Sequence, residues 1–270
     1  MAFTELGPVL HRVVEGPIGP LHSIDYGGSG QPIVCLHGVT GSAWGWYDVA
    51  AALAPRRVIA LDMRGHGDSV WSPSGAYDTA DHVSDLEKQL DAIELEQITL
   101  VGSSWGALVA LEYCVHNPNR VGQLAIVDIE PSFEAGVEDV PARPRQFDTY
   151  EDALAWVQEA NPRAPRSAAN ALTYGGFAPN VTGQIVPKHD PFFFEYWPFR
   201  SGDHWETLKK LTCPTLFVHA GFTFVQGDVM QRMHETVPGS RLVQIAESGH
   251  VIPVDNPEAL ASELIGFLGD

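Results

Sequence analysis

Five residues, Gly102-Ser103-Ser104-Trp105-Gly106, constrain this chain more than any other stretch. They follow the apolar run Ile98-Thr99-Leu100-Val101 and lead directly into Ala107-Leu108-Val109-Ala110-Leu111. A buried strand must therefore pass into a helix across a G-x-S-x-G pentapeptide. Such a turn holds its central residue in strained backbone geometry, and the flanking glycines let strand and helix approach closely. Ser104 would project its hydroxyl beyond the strand's carboxyl end, with helix N-terminal amides behind it. An ordinary glycine turn has the same five-residue pattern, so partners elsewhere in the chain must decide between chemistry and mere geometry.

The rest of the chain repeats the strand-then-helix theme. Residues 9–14 and 21–26 read as strands joined by a Gly-Pro-Ile-Gly-Pro turn. Further apolar runs at 33–36, 58–61, 98–101, 124–128, 214–219 and 241–245 read as strands. Helical patterns lie at 47–53, 105–116, 228–237 and 257–268. Val83, Leu86, Leu90 and Ile93 keep helical spacing and predict an amphipathic helix over 79–95, capped by Asp78 or Thr79. Short, wholly apolar strands alternating with helices predict a mostly parallel sheet covered on both faces, whose ligands bind beyond the strands' carboxyl ends. His37, Asp62, Ser104, Asp128 and Gly221 all fall in loops at that edge.

The rhythm breaks between Ser132 and Trp205. These positions hold thirteen of the chain's 26 aromatic residues, among them Phe192-Phe193-Phe194, Tyr196, Trp197 and Phe199. An insertion at the ligand-binding edge is placed to act as a lid. The plainer reading is a small helical subdomain whose rings pack on one another. Residues 1–131 and 206–270 are thus expected to form the core, and 132–205 a cap.

Composition narrows the function. The 34 acidic and 16 basic side chains leave a net charge of −18, a field that repels nucleic acid and anionic lipid. No apolar run approaches the roughly 20 residues of a membrane span, and Met1-Ala2-Phe3-Thr4-Glu5 lacks the marks of a secretory signal. Cys35, Cys114 and Cys213 are odd in number and lie in apolar stretches, as buried free thiols of a reducing compartment would. The expectation is a cytoplasmic enzyme acting on a small molecule, with neither nucleic-acid nor membrane partner. The sequence sets no oligomeric state.

Leu36-His37-Gly38-Val39, Asp62-Met63-Arg64-Gly65-His66-Gly67-Asp68-Ser69, the turn at Ser104 and Ser248-Gly249-His250 occur in that order. Together they resemble the α/β-hydrolase superfamily over nearly the whole chain. The resemblance implies an eight-stranded, mostly parallel sheet with strand two antiparallel and a helical cap after strand six. It makes Ser104 the nucleophile and His250 the general base that takes and returns its proton. It gives the oxyanion hole to the backbone N–H groups of Val39 and Trp105, with the Trp105 ring a candidate for the pocket wall. Of the other histidines, His37 and His66 belong to structural turns, while His116, His189, His204 and His234 read as surface or cap residues. No pair has the spacing of a metal site, so neither metal nor cofactor is expected.

The third triad member departs from the commonest pattern of the superfamily, which places an aspartate shortly after strand seven. Phe224 stands there, and Asp228 follows four residues later, where a helix cap explains it equally well. Strand six, however, runs into Val127-Asp128-Ile129-Glu130-Pro131, and a branch of the superfamily carries its acid at that strand end. Asp128 is therefore the expected acid, with Asp228 and Glu130 as alternatives.

A serine at the turn sets the chain apart from haloalkane dehalogenases and epoxide hydrolases, which use aspartate there. The expected reaction is hydrolysis of a carboxylic ester, lactone or activated amide through an acyl-enzyme. The strand-six motif is similar to that of small bacterial esterases, and to that of a hydrolase cleaving an enamide in the degradation of vitamin B6-type pyridines. Arg143, Arg145, Arg163, Arg166 and Arg200 in the insertion are candidate receivers of a substrate carboxylate. Two other classes with this fold stay open: a cofactor-independent dioxygenase working through His and Asp, and a weakly hydrolytic ligand receptor.

Overall fold

A computed structural model describes residues 9–133 and 140–269. The opening Met1-Ala2-Phe3-Thr4-Glu5, residues 134–139 of the insertion and Asp270 lie outside the described residues. Eight strands form one sheet: β1 (Leu10–Glu15), β2 (Pro20–Asp25), β3 (Ser29–Leu36), β4 (Arg56–Leu61), β5 (Ile98–Ser103), β6 (Val121–Val127), β9 (Thr215–Phe222) and β10 (Arg241–Gly249). Their spatial order is β1-β2-β4-β3-β5-β6-β9-β10. β2 runs antiparallel to both neighbours, and every pairing from β4 to β10 is parallel. This is the expected class of fold: a mostly parallel sheet, helices on both faces and an insertion after β6.

Parallel strands buried on both faces need cover on both, and the sequence supplies two apolar sets. Val34, Leu36, Leu100 and Ile126 face α2 (Thr79–Ala92) and α3 (Trp105–His116). Ile33, Cys35, Val101 and Val127 face α1 (Tyr47–Ala52) and α9 (Pro257–Leu268). Alternate residues of a strand thus serve opposite cores. Helix α2 stops at Ala92 rather than Leu95, where the chain reverses through Glu94 in left-handed conformation. The Asp78 N–H donates to Asp81 at its start. Among the described residues no helix is long and apolar enough to cross a membrane.

Between β6 and β9 the chain leaves the sheet. It forms α4 (Tyr150–Ala160), α5 (Arg166–Gly176), a hairpin of β7 (Phe177–Pro179) and β8 (Ile185–Pro187), turns at Pro191–Phe194 and Pro198–Ser201, and α6 (Trp205–Leu208). The hairpin was not legible, because three-residue strands are too short to show alternation. Ala153, Val157, Ala169, Phe177 and Ile185 give the first half a small core of its own. The second half differs: Phe193, Trp197 and Phe199 join the main core around Trp105.

Candidate active site

Glycines flank Ser104 because nothing larger fits. A Cβ on Gly102 would lie 2.3 Å from the Gly106 carbonyl oxygen, and one on Gly106 would lie 2.5 Å from those of Leu36 and His37. Strand β5, helix α3 and the end of β3 therefore meet at backbone distance. Ser104 itself takes φ 52 and ψ −126, a left-handed conformation costing about 1–3 kcal/mol for a residue with a Cβ. Four described non-glycine residues have positive φ, and three of them, Thr40, Ser104 and Asp128, stand at this sheet edge.

The structure brings Ser104, His250 and Asp128 into one line. Ser104 Oγ lies 3.0 Å from His250 Nε2. His250 Nδ1 lies 2.8 Å from Asp128 Oδ2. Asp128 is completely buried, whereas the imidazole is about a quarter exposed. A bare carboxylate in such a place is costly, and three donors offset the cost. The Ala220 N–H donates to Oδ1 at 2.8 Å, while Thr223 Oγ1 and His250 Nδ1 both donate to Oδ2. Strand β9 supplies one of these donors, Ala220, and the loop after it, where the commoner acid is missing, supplies another, Thr223. Its Phe224 ring lies 4.4 Å from the imidazole, centre to centre.

The alternative acids lie elsewhere. Asp228 is exposed in the first turn of α7 (Gly227–Thr236), and among the described residues no hydrogen bond or ion pair joins it to His250. The carboxylate at the start of that helix is Glu130, whose Oε1 accepts the Gln226 N–H at 3.0 Å.

The loop after β3 closes over the serine. A Cβ on Gly38 would come within 2.9 Å of Ser104 Cβ, so the backbone at 38–39 passes directly beside the hydroxyl. Among the described residues no backbone carbonyl accepts the N–H of Val39 or of Trp105. Two buried histidines shape this loop. His37 Nδ1 donates to the Gly38 carbonyl at 2.7 Å, and its Nε2 accepts the Met63 N–H. His66 Nδ1 donates to the Arg64 carbonyl, and its Nε2 accepts the Thr40 N–H at 3.1 Å. Accepting at Nε2 requires both rings to be neutral. Burial lowers the pKa of each.

The Trp105 indole is fully buried, and its N–H donates to Thr79 Oγ1 at 3.2 Å. His82 and Phe199 pack against it at centroid distances of 4.4 and 5.4 Å. The ring thus supports the site from beneath and forms no open wall. His189 and His204 are buried in the insertion, and His204 Nδ1 bonds Glu112 Oε1 on α3 at 2.6 Å. The sequence reading left His22 out. Its Nδ1 lies 2.7 Å from Asp62 Oδ2, and Asp62 also accepts the N–H groups of Ala43 and Asp68. Burial raises the Asp62 pKa, but the hydrogen bonds from His22 and from the Ala43 N–H hold it below the usual carboxylate range. His22, Asp62 and Asp68 lie close enough to surround a cation. These groups are already engaged with one another, and Asp68 with Lys188.

A strained serine, an imidazole within hydrogen-bond reach of it, a buried carboxylate and two backbone amides with no carbonyl partner among the described residues meet at this sheet edge. The α/β hydrolase fold family matches residues 31–257, and the chain belongs to that family. It is 27% identical to an esterase of Mycobacterium tuberculosis, over 97% of this chain and 89% of that one. It is 33% identical to a soluble epoxide hydrolase of Corynebacterium sp. (strain C12), over 89% and 91%. The solved structure of an E-2-(acetamidomethylene)succinate hydrolase superposes with a TM-score of 0.84, at 20% identity, over 97% and 99% of the two chains. This last likeness is one of fold. Family membership places the chain among enzymes of the general α/β-hydrolase class.

Proposed function

We propose that the protein is a serine hydrolase that cleaves a carboxylic ester, lactone or activated amide of small to medium size through an acyl-enzyme. The observation that carries this reading is the unbroken line from Ser104 Oγ through His250 to Asp128, at 3.0 and 2.8 Å. His250 Nε2 takes the hydroxyl proton as Ser104 attacks the carbonyl, then gives it to the leaving group. A water activated by the same nitrogen releases the acyl group. Asp128 orients the ring and stabilises its cation. The amides of Val39 and Trp105 receive the oxyanion, each worth about 3–4 kcal/mol at the transition state. Side chains and water suffice for these steps. A serine at the elbow separates this chemistry from that of the related epoxide hydrolase, although the identity to that enzyme is the higher of the two.

Residues 132–205 act in this reading as a cap. Phe193, Trp197 and Phe199 crowd the core beside the site, and bulky rings shorten a cleft, so four-carbon p-nitrophenyl esters are expected to give a higher kcat/KM than sixteen-carbon ones. The decisive experiment is fluorophosphonate labelling followed by peptide mapping. Ser104 is the expected adduct, and Ser104→Ala is expected to keep the fold while lowering kcat by about three orders of magnitude. An adduct on another serine, with Ser104 unmodified, sinks the assignment.

A further inference from the structure

We propose that Arg143 is the anion-recognising residue of this site, and that the substrate carries a carboxylate close to the carbonyl that is attacked. The proposal rests on the hydrolase reading above and deepens it. Four of the five candidate arginines in the insertion are exposed or lie closer over an aromatic ring than Arg143 does. Arg145 pairs with Glu195 at the surface and lies over Phe194. Arg163 covers Phe222 at 3.7 Å, and Arg200 covers Trp197 at 4.4 Å. Arg166 is exposed at the start of α5.

Arg143 points inward. Its Nη1 donates to Thr40 Oγ1, and its guanidinium carbon lies 5.8 Å from the centre of the Trp197 ring. Thr40 directly follows Val39, and the backbone just before it abuts Ser104. The guanidinium is therefore one residue away from a proposed oxyanion donor. Among the described residues no carboxylate pairs with Arg143, and no acceptor takes its Nε or Nη2. Burial alone lowers its pKa, and its charge helps keep the nearby His189 neutral.

A guanidinium stays charged in proteins, and drawing one partly out of water without a counter-charge, as at the half-buried Arg143, is unfavourable. This chain has 34 acidic side chains, yet none of those described answers Arg143. With Nη1 held by Thr40, the free Nε and Nη2 offer the forked edge that a carboxylate accepts in two parallel bonds. A ligand carboxylate completes that pair and sets the scissile carbonyl beside the amides of Val39 and Trp105. The competing role is a clamp, in which Arg143 merely ties the insertion to the loop through Thr40.

The test compares two p-nitrophenyl esters of equal acyl length, the glutarate monoester and the neutral pentanoate. Wild type is expected to favour the glutarate ester in kcat/KM by roughly tenfold or more, against the repulsion of a net charge of −18. Arg143→Gln is expected to lower that ratio at least about tenfold, chiefly through KM, and Arg143→Lys to recover part of it. A ratio at or below one in wild type overturns the proposal, as does a ratio unchanged in Arg143→Gln, the result a clamp would give. If Arg143→Gln does not fold, inhibition of wild type by free glutarate decides: inhibition no stronger than that by pentanol overturns it. If neither ester is cleaved and Ser104 takes no label, the hydrolase reading has failed. Calorimetry of glutarate binding to wild type and Arg143→Gln then judges Arg143 alone: loss of heat in the variant supports it, and no heat in wild type overturns it.

Discussion

Three histidines at one sheet edge share a tautomer and differ in use. His37, His66 and His250 each donate from Nδ1 and offer a lone pair at Nε2. In His37 and His66 the Nδ1 proton goes to a backbone carbonyl, and Nε2 accepts a backbone N–H. Protonating either would break a bond that shapes the loop after β3. In His250 the Nδ1 proton goes to a buried carboxylate, and Nε2 faces a hydroxyl that can surrender its own proton. The partner at Nδ1 thus separates a structural imidazole from one equipped to carry charge.

The strongest way to break this contrast is to give His250 a neutral partner. Asp128→Asn keeps the shape but offers the ring the wrong tautomer, and is expected to lower kcat about ten-thousandfold without unfolding the protein. Asp228→Asn, in an exposed helix turn, is expected to change kcat less than about twofold. Single-turnover and steady-state rates on a p-nitrophenyl ester decide between them. Full activity in Asp128→Asn, or abolition only by Asp228→Asn, moves the acid to the β9 loop.

A smaller perturbation removes one donor to the acid. Thr223 is a positioning residue: its hydroxyl holds Asp128 Oδ2, the oxygen that also faces His250. Thr223→Val is expected to reduce kcat by roughly tenfold to a hundredfold, the worth of one hydrogen bond to a charged group at about 1.5–3 kcal/mol. The loss should fall on kcat with KM unchanged, because the hydroxyl touches the carboxylate and not the substrate, and Thr223→Ser, which keeps the hydroxyl, should recover most of it. A loss that Thr223→Ser does not relieve would mark a packing role.

How much of this the sequence carried follows from local rules. The sheet was legible because continuous apolar runs bounded by turn residues are what doubly covered parallel strands require. The place of Asp128 beside His250 was legible because the chain resembles a branch that carries its acid at this strand end, and because Phe224 stands at the commoner acid position. Thr223 was not, since a threonine just past the end of a strand is ordinary, and only the partner strand's register brings it to Asp128. The cap of α4 was readable and overlooked: Thr149 and Asp152 exchange hydrogen bonds in the manner of a capping box. The burial of His189 and His204 depends on how the insertion folds back, which no local pattern encodes.

The smallest expected effect concerns the neutral side of the contrast. His189 is buried, and burial, reinforced by the Arg143 charge, lowers its pKa to about 4 against the effect of the Asp190 carbonyl. In the unfolded chain the same ring titrates near 6.5. Between these values the unfolded chain binds a proton that the folded protein refuses, so acidification favours unfolding. The stabilisation is complete above pH 6.5 and is lost as the pH falls through that window. His189→Asn removes the titrating ring and should make stability less steep in pH there, by just under one proton, or at most about 1.4 kcal/mol per pH unit. Urea unfolding of wild type and variant at several pH values between 4.5 and 6.5 measures the difference, in which all other groups cancel. His37, His66 and His82 are lowered in the same direction, so the variant should still lose stability on acidification. Parallel slopes for the two proteins would mean that His189 is protonated, or solvated, in the folded state, and the contrast would then hold only for the histidines fixed by backbone on both nitrogens.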